Sequence, residues 1–286
     1  MTTETEEGIG RPGDQRLAGQ VAVVTGAGTA HGIGNGQAIA RTLAAHGASV
    51  VCVDVVGERA EQVAEKIRKD GGEALAVEAD VTSVADCDRI ATTADTAYGR
   101  VDSLVNSAGI VSRNGLRARV AGGALGELDD LDLDDWDQVF RVNVTGPMLC
   151  TRALVPALSR RGGAVVFVGT TMADHWYGSG SLAYGTSKAA LEGLSLTVAG
   201  ALGPKNVRSN LLVIGQVRAP HIDAAAAAMG EQGQRMLDHR RLSSLLQVDG
   251  TPFDVALTAL YLVSPDSRWI TGQKIFVDGG AGRTLR

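Results

Sequence analysis

The chain has 286 residues, 44% of them hydrophobic and 37 of them glycine, which is enough for a substantial core with many tight turns. Its 27 basic and 32 acidic residues leave a net charge of −5, so neither nucleic acid nor an anionic membrane is an expected partner. No apolar run reaches the roughly 20 residues that a membrane-spanning helix needs, and the N-terminal residues lack the apolar core of a signal peptide.

Alternating strand and helix patterns fill the chain after a polar, glycine-rich beginning. We predict a flexible tail over residues 1–17 and one folded domain over residues 18–286. The predicted strands are Val21–Val24, Ser49–Val53, Ala74–Val77, Val101–Val105, Val165–Val168, Val207–Val213 and Lys274–Val277. The predicted helices are Gly36–His46, Arg59–Lys69, Val84–Tyr98, Trp136–Leu158, Ala183–Leu202 and Phe253–Val263. This alternation predicts a single, doubly wound Rossmann-type α/β domain, with a seven-stranded parallel sheet and helices on both faces.

The first predicted strand leads into a glycine-rich loop, after which a helix begins near Asn35. Glycines at such a junction let the backbone approach a pyrophosphate at the helix N-terminus. Asp54 closes the second strand, where an acid would bond the adenosine ribose hydroxyls and repel a 2′-phosphate. The combination favours NAD(H) over NADP(H), although Asp54 could also be a simple turn residue. The loop residues expected to bind the cofactor are Gly26, Gly28, Gly32, Ile33 and Gly34.

Tyr184 and Lys188 stand four residues apart in a segment rich in alanine and leucine, so both side chains share one face of a helix. A phenol has a pKa of about 10 in water and is a poor proton carrier at neutral pH. We expect a fixed cation nearby to lower that pKa toward the working range. The pair indicates a proton donor and acceptor for an oxygen that becomes, or stops being, a carbonyl. The same spacing also arises by chance in ordinary amphipathic helices.

Two further stretches are candidates for shaping a substrate pocket. The first contains His175, Trp176 and Tyr177, which form either a pocket wall that contacts the substrate or a loop that contacts another subunit. The second covers residues 219–247 and includes the run Ala224–Ala228. It is interpreted as a mobile helical lid over the site, or as a helix at a dimer surface.

The cysteines and histidines do not indicate a metal site. Cys52, Cys87 and Cys150 are far apart in sequence and lack a C-x-x-C pairing, so they are expected to be buried free thiols of a reducing compartment. We therefore expect the protein in the cytoplasm. The five scattered histidines, which suggest no ligand set, are His31, His46, His175, His221 and His239.

These features together resemble the short-chain dehydrogenase/reductase family over nearly all of the chain after the tail. The family's T-G-x-x-x-G-x-G loop is approximated by Thr25, Gly26, Gly32 and Gly34, with five residues instead of three between the first two glycines. Tyr184 matches the catalytic tyrosine and Lys188 the catalytic lysine of the family. Its other landmarks are matched by Asp80 and Val81 near the adenine, by Asn106, Ala108 and Gly109 after the fourth strand, and by Asn143, which in the family holds a water on a proton path.

The chain departs from the family's pattern at two places. The catalytic serine, 13 positions before the tyrosine, is replaced by Thr171, whose hydroxyl can still donate a hydrogen bond. After the sixth strand, where the family has Pro-Gly and then a valine and a threonine, this chain has Ile214-Gly215-Gln216-Val217-Arg218-Ala219. Val217 could still bind the carboxamide of the nicotinamide through its backbone. The C-terminal residues agree with the family's oligomer-forming end, which implies a homotetramer or homodimer.

The resemblance implies an NAD(H)-dependent oxidoreductase that transfers a hydride between nicotinamide and a secondary alcohol or ketone. In that scheme Tyr184 is the general acid and base, Thr171 steadies the substrate oxygen, Lys188 binds the ribose hydroxyls and Asn143 supports a water. An alternative is a carrier-protein-linked reductase of 3-oxoacyl or enoyl thioesters. The enoyl-reducing branch places its lysine seven positions after the tyrosine, and the 3-oxoacyl reductases usually prefer the phosphorylated cofactor, so neither fits fully. A non-catalytic dinucleotide-binding regulator is a third reading.

Overall fold

A computed structural model describes residues 14–29, 32–111, 131–175 and 182–283, with only the backbone for Pro220 and His221. Seven parallel strands form one sheet in the order β3-β2-β1-β4-β5-β6-β7. The strands are β1 (Val21–Thr25), β2 (Ser49–Asp54), β3 (Glu73–Glu78), β4 (Ser103–Asn106), β5 (Gly163–Thr170), β6 (Val207–Ile214) and β7 (Lys274–Val277). The predicted doubly wound α/β domain is therefore confirmed, with strand ends shifted by at most two residues.

Helices cover both faces of the sheet. They are α1 (Asn35–Ala45), α2 (Gly57–Lys69), α3 (Val84–Tyr98), α4 (Leu133–Phe140), α5 (Gly146–Leu158), α6 (Leu182–Leu202), α7 (Pro220–Ala228), α8 (Glu231–Leu242) and α9 (Pro252–Val263). One apolar core joins the sheet to α1, α2 and α9, and a second joins its other face to α3, α5 and α6. Because each strand is covered on both sides, the strands read as continuous β-branched runs rather than as alternating patterns.

The order of the strands locates the site. The chain first builds outward from β1 to β3, then returns to place β4 on the other side of β1. The two halves are thus wound in opposite directions, and a crevice opens at the carboxyl ends of β1 and β4. In folds of this type ligands bind in that crevice, so we expect the loops that follow β1, β4, β5 and β6 to form the site.

The helix predicted over Trp136–Leu158 is longer and less regular than the pattern indicated. It begins at Leu133, because the Asp132 side chain accepts hydrogen bonds from the backbone of Asp134 and Asp135. Its middle is a five-residue π-helical turn, Arg141–Thr145, between α4 and α5. Turns of this kind are rare and often mark functional sites, and this one carries Asn143.

The structure covers the predicted tail and the stretch interpreted as a lid only in part. Of the predicted tail, residues 1–13 lie outside the described part of the chain, whereas Leu17 is 1% exposed and its amide donates to the His46 carbonyl at 2.9 Å. The folded domain therefore includes at least the last residue assigned to the tail. The stretch interpreted as a lid contains α7 and α8, as its helical pattern indicated. In the described segments, no helix is both long and apolar enough to cross a membrane.

Candidate active site

The glycine-rich loop after β1 packs directly on the loop after β4. The Thr25 hydroxyl accepts hydrogen bonds from the amides of Ser107 and Ala108, each at 3.2 Å, and so ties the two loops together. Gly26 has a φ of +64°, and a Cβ built on it would lie 2.6 Å from the Ala108 Cα. Only glycine allows this approach. Gly34 then precedes the first turn of α1, which contains no acidic residue, so the positive end of the helix dipole is available to an anion.

Asp54 ends β2 with its carboxylate turned into the same crevice. One carboxylate oxygen accepts from the Gly28 amide and the other from the Val56 amide, both at 3.0 Å. A Cβ on Gly28 would lie 2.8 Å from this carboxylate, so the glycine permits the contact. The side chain is 9% exposed. Two backbone hydrogen bonds thereby fix the position of this carboxylate next to the loop.

The residues expected near the adenine and the ribose lie around the same crevice. The Val81 carbonyl accepts a hydrogen bond from the Cys87 thiol at 3.3 Å, while Asp80 binds Thr82 and is exposed to solvent. Asn106 is 1% exposed, and its amide nitrogen donates to the Thr151 hydroxyl at 3.3 Å. No described residue donates to its buried Oδ1. A buried acceptor without a hydrogen bond destabilises the folded protein. A hydroxyl group of a bound ligand could donate the missing hydrogen bond.

Asn143 is fully buried and links three elements of the site. Its Oδ1 accepts from the Ile110 amide at 2.8 Å, and its Nδ2 donates to the Ile110 carbonyl at 2.9 Å and to the Ser187 hydroxyl at 3.0 Å. Ser187 in turn donates to the Tyr184 carbonyl at 2.8 Å. The π-helical turn thus holds Asn143 against both the loop after β4 and the first turns of α6. Sequence reasoning did not single out Ser187, because a serine on a helix carries no distinctive pattern.

Tyr184 and Lys188 lie on one face of α6, as their spacing predicted. The Lys188 Nζ is 6.0 Å from the centroid of the Tyr184 ring and donates to the Val168 carbonyl at 2.9 Å. A Cβ built on Gly109 would lie 3.1 Å from this Nζ and 3.2 Å from the Asn143 Oδ1, which places Gly109 between them. Tyr184, Lys188 and Asn143 therefore meet at the carboxyl ends of β4 and β5.

Burial dominates the protonation of this pair and corrects one expectation. Burial raises the pKa of the Tyr184 phenol above its ordinary value, and the nearby Thr170 side chain opposes the rise only in part. Burial lowers the pKa of Lys188 to about 8. The sequence-based expectation was that the lysine charge would lower the pKa of the phenol. In the protein alone, desolvation of both groups outweighs that effect.

Two adjacent threonines lie at the end of β5, and the spacing of 13 residues selects the second, Thr171. Thr170 is the last residue of β5, and its side chain lowers the pKa of the Tyr184 phenol. Thr171 begins the 3₁₀ turn Thr171–Ala173 and is 1% exposed. Consecutive residues at the end of a strand point in different directions, so the two hydroxyls are candidates for different roles at the tyrosine.

Backbone hydrogen bonds hold the corner after β6, which lacks the proline of the family pattern. The Val217 amide donates to the Gly215 carbonyl at 3.0 Å, and the Arg218 amide donates to the Gly250 carbonyl at 2.8 Å. Arg240 on α8 donates to the Val217 carbonyl at 3.2 Å. The segment interpreted as a lid thereby contacts the backbone group that was expected to bind the carboxamide. Nothing in the sequence links Arg240 to this corner.

Of the candidate substrate residues, only His175 is within the described structure. It follows the 3₁₀ turn, is exposed, and its ring lies next to Gly282 near the C-terminus. Trp176 and Tyr177 lie outside the described residues. In the parts of the chain that the structure covers, no group of three or more His, Cys, Asp or Glu side chains could hold a metal ion.

Comparison with known proteins gives the family. A profile described as "Enoyl-(Acyl carrier protein) reductase" matches residues 26–282. The 7alpha-hydroxysteroid dehydrogenase of Escherichia coli K12 is 33% identical over 270 residues, 94% of this chain and 97% of that protein. Short-chain reductase protein NovJ of Streptomyces niveus is 33% identical over 260 residues, 91% of this chain and 93% of that protein.

A solved structure agrees with both relatives. A Burkholderia xenovorans protein assigned to the short-chain dehydrogenases/reductases superimposes with a TM-score of 0.85 at 32% identity, over 95% of this chain and all of that one. Sequence profile, full-length relatives and fold thus point the same way. The chain is an oxidoreductase that belongs to the short-chain dehydrogenase/reductase family, whose members bind nicotinamide dinucleotides.

Proposed function

We propose that this protein is an NAD(H)-dependent oxidoreductase that interconverts a secondary alcohol and a ketone, with Tyr184 as the general acid and base. The observation that carries the proposal is the placement of Tyr184 beside Lys188 on α6, with Thr170 near the phenol, at the mouth of the crevice that the glycine-rich loop lines. A hydroxyl, a phenol and an amine placed together can bind one oxygen and move one proton to or from it.

The residues around the crevice fit a dinucleotide. The glycine-rich loop and the first turn of α1 suit a pyrophosphate, and Asn106 presents a buried oxygen that lacks a donor among the described residues. We propose the binding set Gly26, Gly28, Gly32, Ile33, Gly34, Asp54, Asp80, Val81, Asn106, Ala108, Gly109, Tyr184, Lys188 and Val217. A nicotinamide bound at the Tyr184 end would supply the hydride chemistry.

The protein's own side chains would then bind the substrate oxygen and transfer its proton. For alcohol oxidation, Tyr184 as phenolate accepts the hydroxyl proton, and for ketone reduction its phenol returns it. We propose that a threonine hydroxyl at the end of β5 donates a hydrogen bond to the same oxygen: Thr171 by the spacing, or Thr170 by its proximity to the phenol. Asn143 holds the loop after β4 in place through Ile110 and supports the water path that the family pattern implies. Lys188 binds ribose hydroxyls and, when charged, favours the phenolate.

Asp54 supports NAD over NADP. Its carboxylate is anchored at both oxygens by backbone amides and is 9% exposed, so it cannot easily turn away from an incoming ribose. A 2′-phosphate at that place would bring a second negative charge against a fixed one. A free 2′-hydroxyl would donate to it instead.

The relatives support an alcohol or ketone substrate. The curated relative from Escherichia coli is named for a hydroxysteroid, which carries a secondary alcohol. The matching profile, in contrast, is described by an acyl-carrier-protein-linked enoyl reductase, so a thioester reductase remains the second candidate. We also propose a cytoplasmic homotetramer or homodimer. The outer edge of β7 supports self-association, because Trp269 and Phe276 near it are 91% and 39% exposed.

The deciding experiment pairs cofactor binding with turnover. NADH and NADPH are titrated into the protein while tryptophan fluorescence is followed, and a panel of secondary alcohols, ketones, 3-oxoacyl thioesters and enoyl thioesters is assayed alongside. We expect NADH to bind more tightly than NADPH and an alcohol or ketone to turn over. Turnover restricted to thioesters selects the second candidate. Tight binding with no turnover on any panel selects a regulator, and no binding of either nucleotide overturns the proposal.

A further inference from the structure

Lys274, the first residue of β7, joins two carboxylates from two different elements. Its Nζ donates to Asp174, which follows the 3₁₀ turn Thr171–Ala173, and to Glu192 on α6 at 2.7 Å. The side chains of Lys274 and Asp174 are only 22% and 23% exposed. Burial alone lowers the pKa of Lys274, but the two carboxylates outweigh it and raise that pKa, so the ammonium keeps its charge. Such a partly shielded ion pair is screened less by salt than one on the open surface.

Both carboxylates belong to segments that also carry candidate catalytic residues. Glu192 is on α6 one turn after Lys188 and two turns after Tyr184. Asp174 closes the turn that starts directly after Thr170, since its amide donates to the Thr171 carbonyl at 3.0 Å. The Lys274 side chain also lines the same narrow crevice as Thr170 and Lys188. One ammonium therefore connects the segment that carries the threonines to the helix that carries the tyrosine.

A second contact between these segments lies at the start of the helix. A Cβ built on Gly185 would be 2.9 Å from the Met172 carbonyl oxygen, so α6 packs closely on the middle of the turn there. That packing limits how near the two segments come in the middle of the turn. The ion pairs of Lys274 hold the end of the turn, at Asp174. Two separated contacts are needed to fix the orientation of a three-residue turn, and Lys274 provides the second.

We propose that Lys274 is a positioning residue that sets the distance between the Thr170 hydroxyl and the Tyr184 phenol. This rests on the proposed function of that pair. Asp174 is the partner that matters, because it belongs to the turn next to Thr170. Glu192 is 57% exposed and sits on a helix that its own hydrogen bonds keep rigid, so it contributes little.

The test uses charge-removing variants and a matched control. Lys274→Met and Asp174→Asn are compared with Glu192→Gln, and Lys66→Met serves as control because Lys66 pairs with Asp70 on α2, away from the site. We expect Lys274→Met and Asp174→Asn each to lower kcat about tenfold to a hundredfold, as small misplacements of catalytic groups do, without changing the Kd for NADH. The double variant should lose no more than either single one, and Lys274→Arg should recover most of the rate.

A second measurement does not depend on turnover. Hydrogen exchange of the Asp174 and His175 amides, which both donate to the Thr171 carbonyl, reports whether the turn is held. We expect faster exchange there in Lys274→Met and Asp174→Asn, and no change in Glu192→Gln or Lys66→Met. Unchanged exchange in Lys274→Met overturns the positioning role, whatever the activity. Faster exchange in Lys274→Met, together with a wild type that turns over no substrate, would leave the contact established and refute the proposed function instead. Faster exchange with an unchanged kcat would also overturn the inference.

Discussion

The side chain of Thr170 lies close enough to the phenol of Tyr184 to lower the pKa of that phenol, and this proximity relates the end of β5 to the first turn of α6. It is the one interaction at Tyr184 that opposes the effect of burial on the phenol pKa. A hydroxyl in this position stabilises the phenolate and can turn to a substrate oxygen that lies between the two groups. The choice between adjacent threonines therefore has a mechanistic consequence.

Thr170→Val should lower kcat strongly, because it removes the hydroxyl and keeps the branched shape. Loss of one such donor typically costs about a hundredfold or more in kcat. Thr170→Ser should retain most of the activity. Steady-state kinetics with saturating cofactor measure the effect, and Thr171→Val is the matched control. If Thr171→Val loses the activity and Thr170→Val keeps it, the assignment by spacing is right and the assignment by contact is not.

Tyr184→Phe should abolish turnover and leave the affinity for NADH nearly unchanged, because the phenol exchanges the proton but contributes little to binding. In the wild type, alcohol oxidation should rise with pH through the raised pKa of Tyr184, since the phenolate is the base, and ketone reduction should fall over the same range. Tyr261→Phe, at a partly exposed tyrosine on α9, is the control. Activity that survives in Tyr184→Phe would remove this residue from acid–base chemistry.

Lys188→Met should change how stability depends on pH. Burial lowers the pKa of Lys188 to about 8 in the folded protein, below the ordinary value of 10.5. Between pH 8 and about 10 the unfolded chain then holds more protons, so the free energy of unfolding rises with pH. The full rise amounts to about 3 kcal/mol, from 1.36 kcal/mol per unit over the difference between the two pKa values. Urea unfolding at several pH values should show this slope in the wild type and in Lys66→Met, and a flatter one in Lys188→Met. Equal slopes in all three proteins would mean that folding does not lower the pKa of Lys188.

Asp54→Ala should reduce the preference for NADH over NADPH. Removing the anchored carboxylate takes away both the partner of the ribose hydroxyls and the charge that opposes a 2′-phosphate. We expect the ratio of the Kd for NADPH to the Kd for NADH to fall about tenfold. This fall corresponds to about 1.4 kcal/mol of binding free energy. Fluorescence titration with both nucleotides measures it, with Asp95→Asn on the far surface pair with Arg160 as control. An unchanged ratio would show that another residue reads the ribose.

Several features were determined by the sequence alone. The seven β-branched runs predicted the strands to within two residues. Strands that are buried on both faces consist almost entirely of apolar, β-branched residues, so the pattern is easy to recognise. The glycines after β1 and the acid at the end of β2 indicated a dinucleotide-binding loop. The four-residue spacing of Tyr184 and Lys188 placed both on one face of α6, since the helical period is a local property.

Tertiary structure decided what local pattern could not. The direction of the pKa shift at Tyr184 depends on how deeply the phenol is enclosed, and enclosure is set by packing of distant segments. Whether Thr170 or Thr171 faces that phenol depends on the twist at the end of β5, and the π-helical turn at Asn143 depends on bonds to Ile110 and Ser187. The contacts of Arg240 with Val217 and of Lys274 with Asp174 join residues 23 and 100 positions apart. Pairings over such separations follow from the fold and leave no periodicity in the sequence.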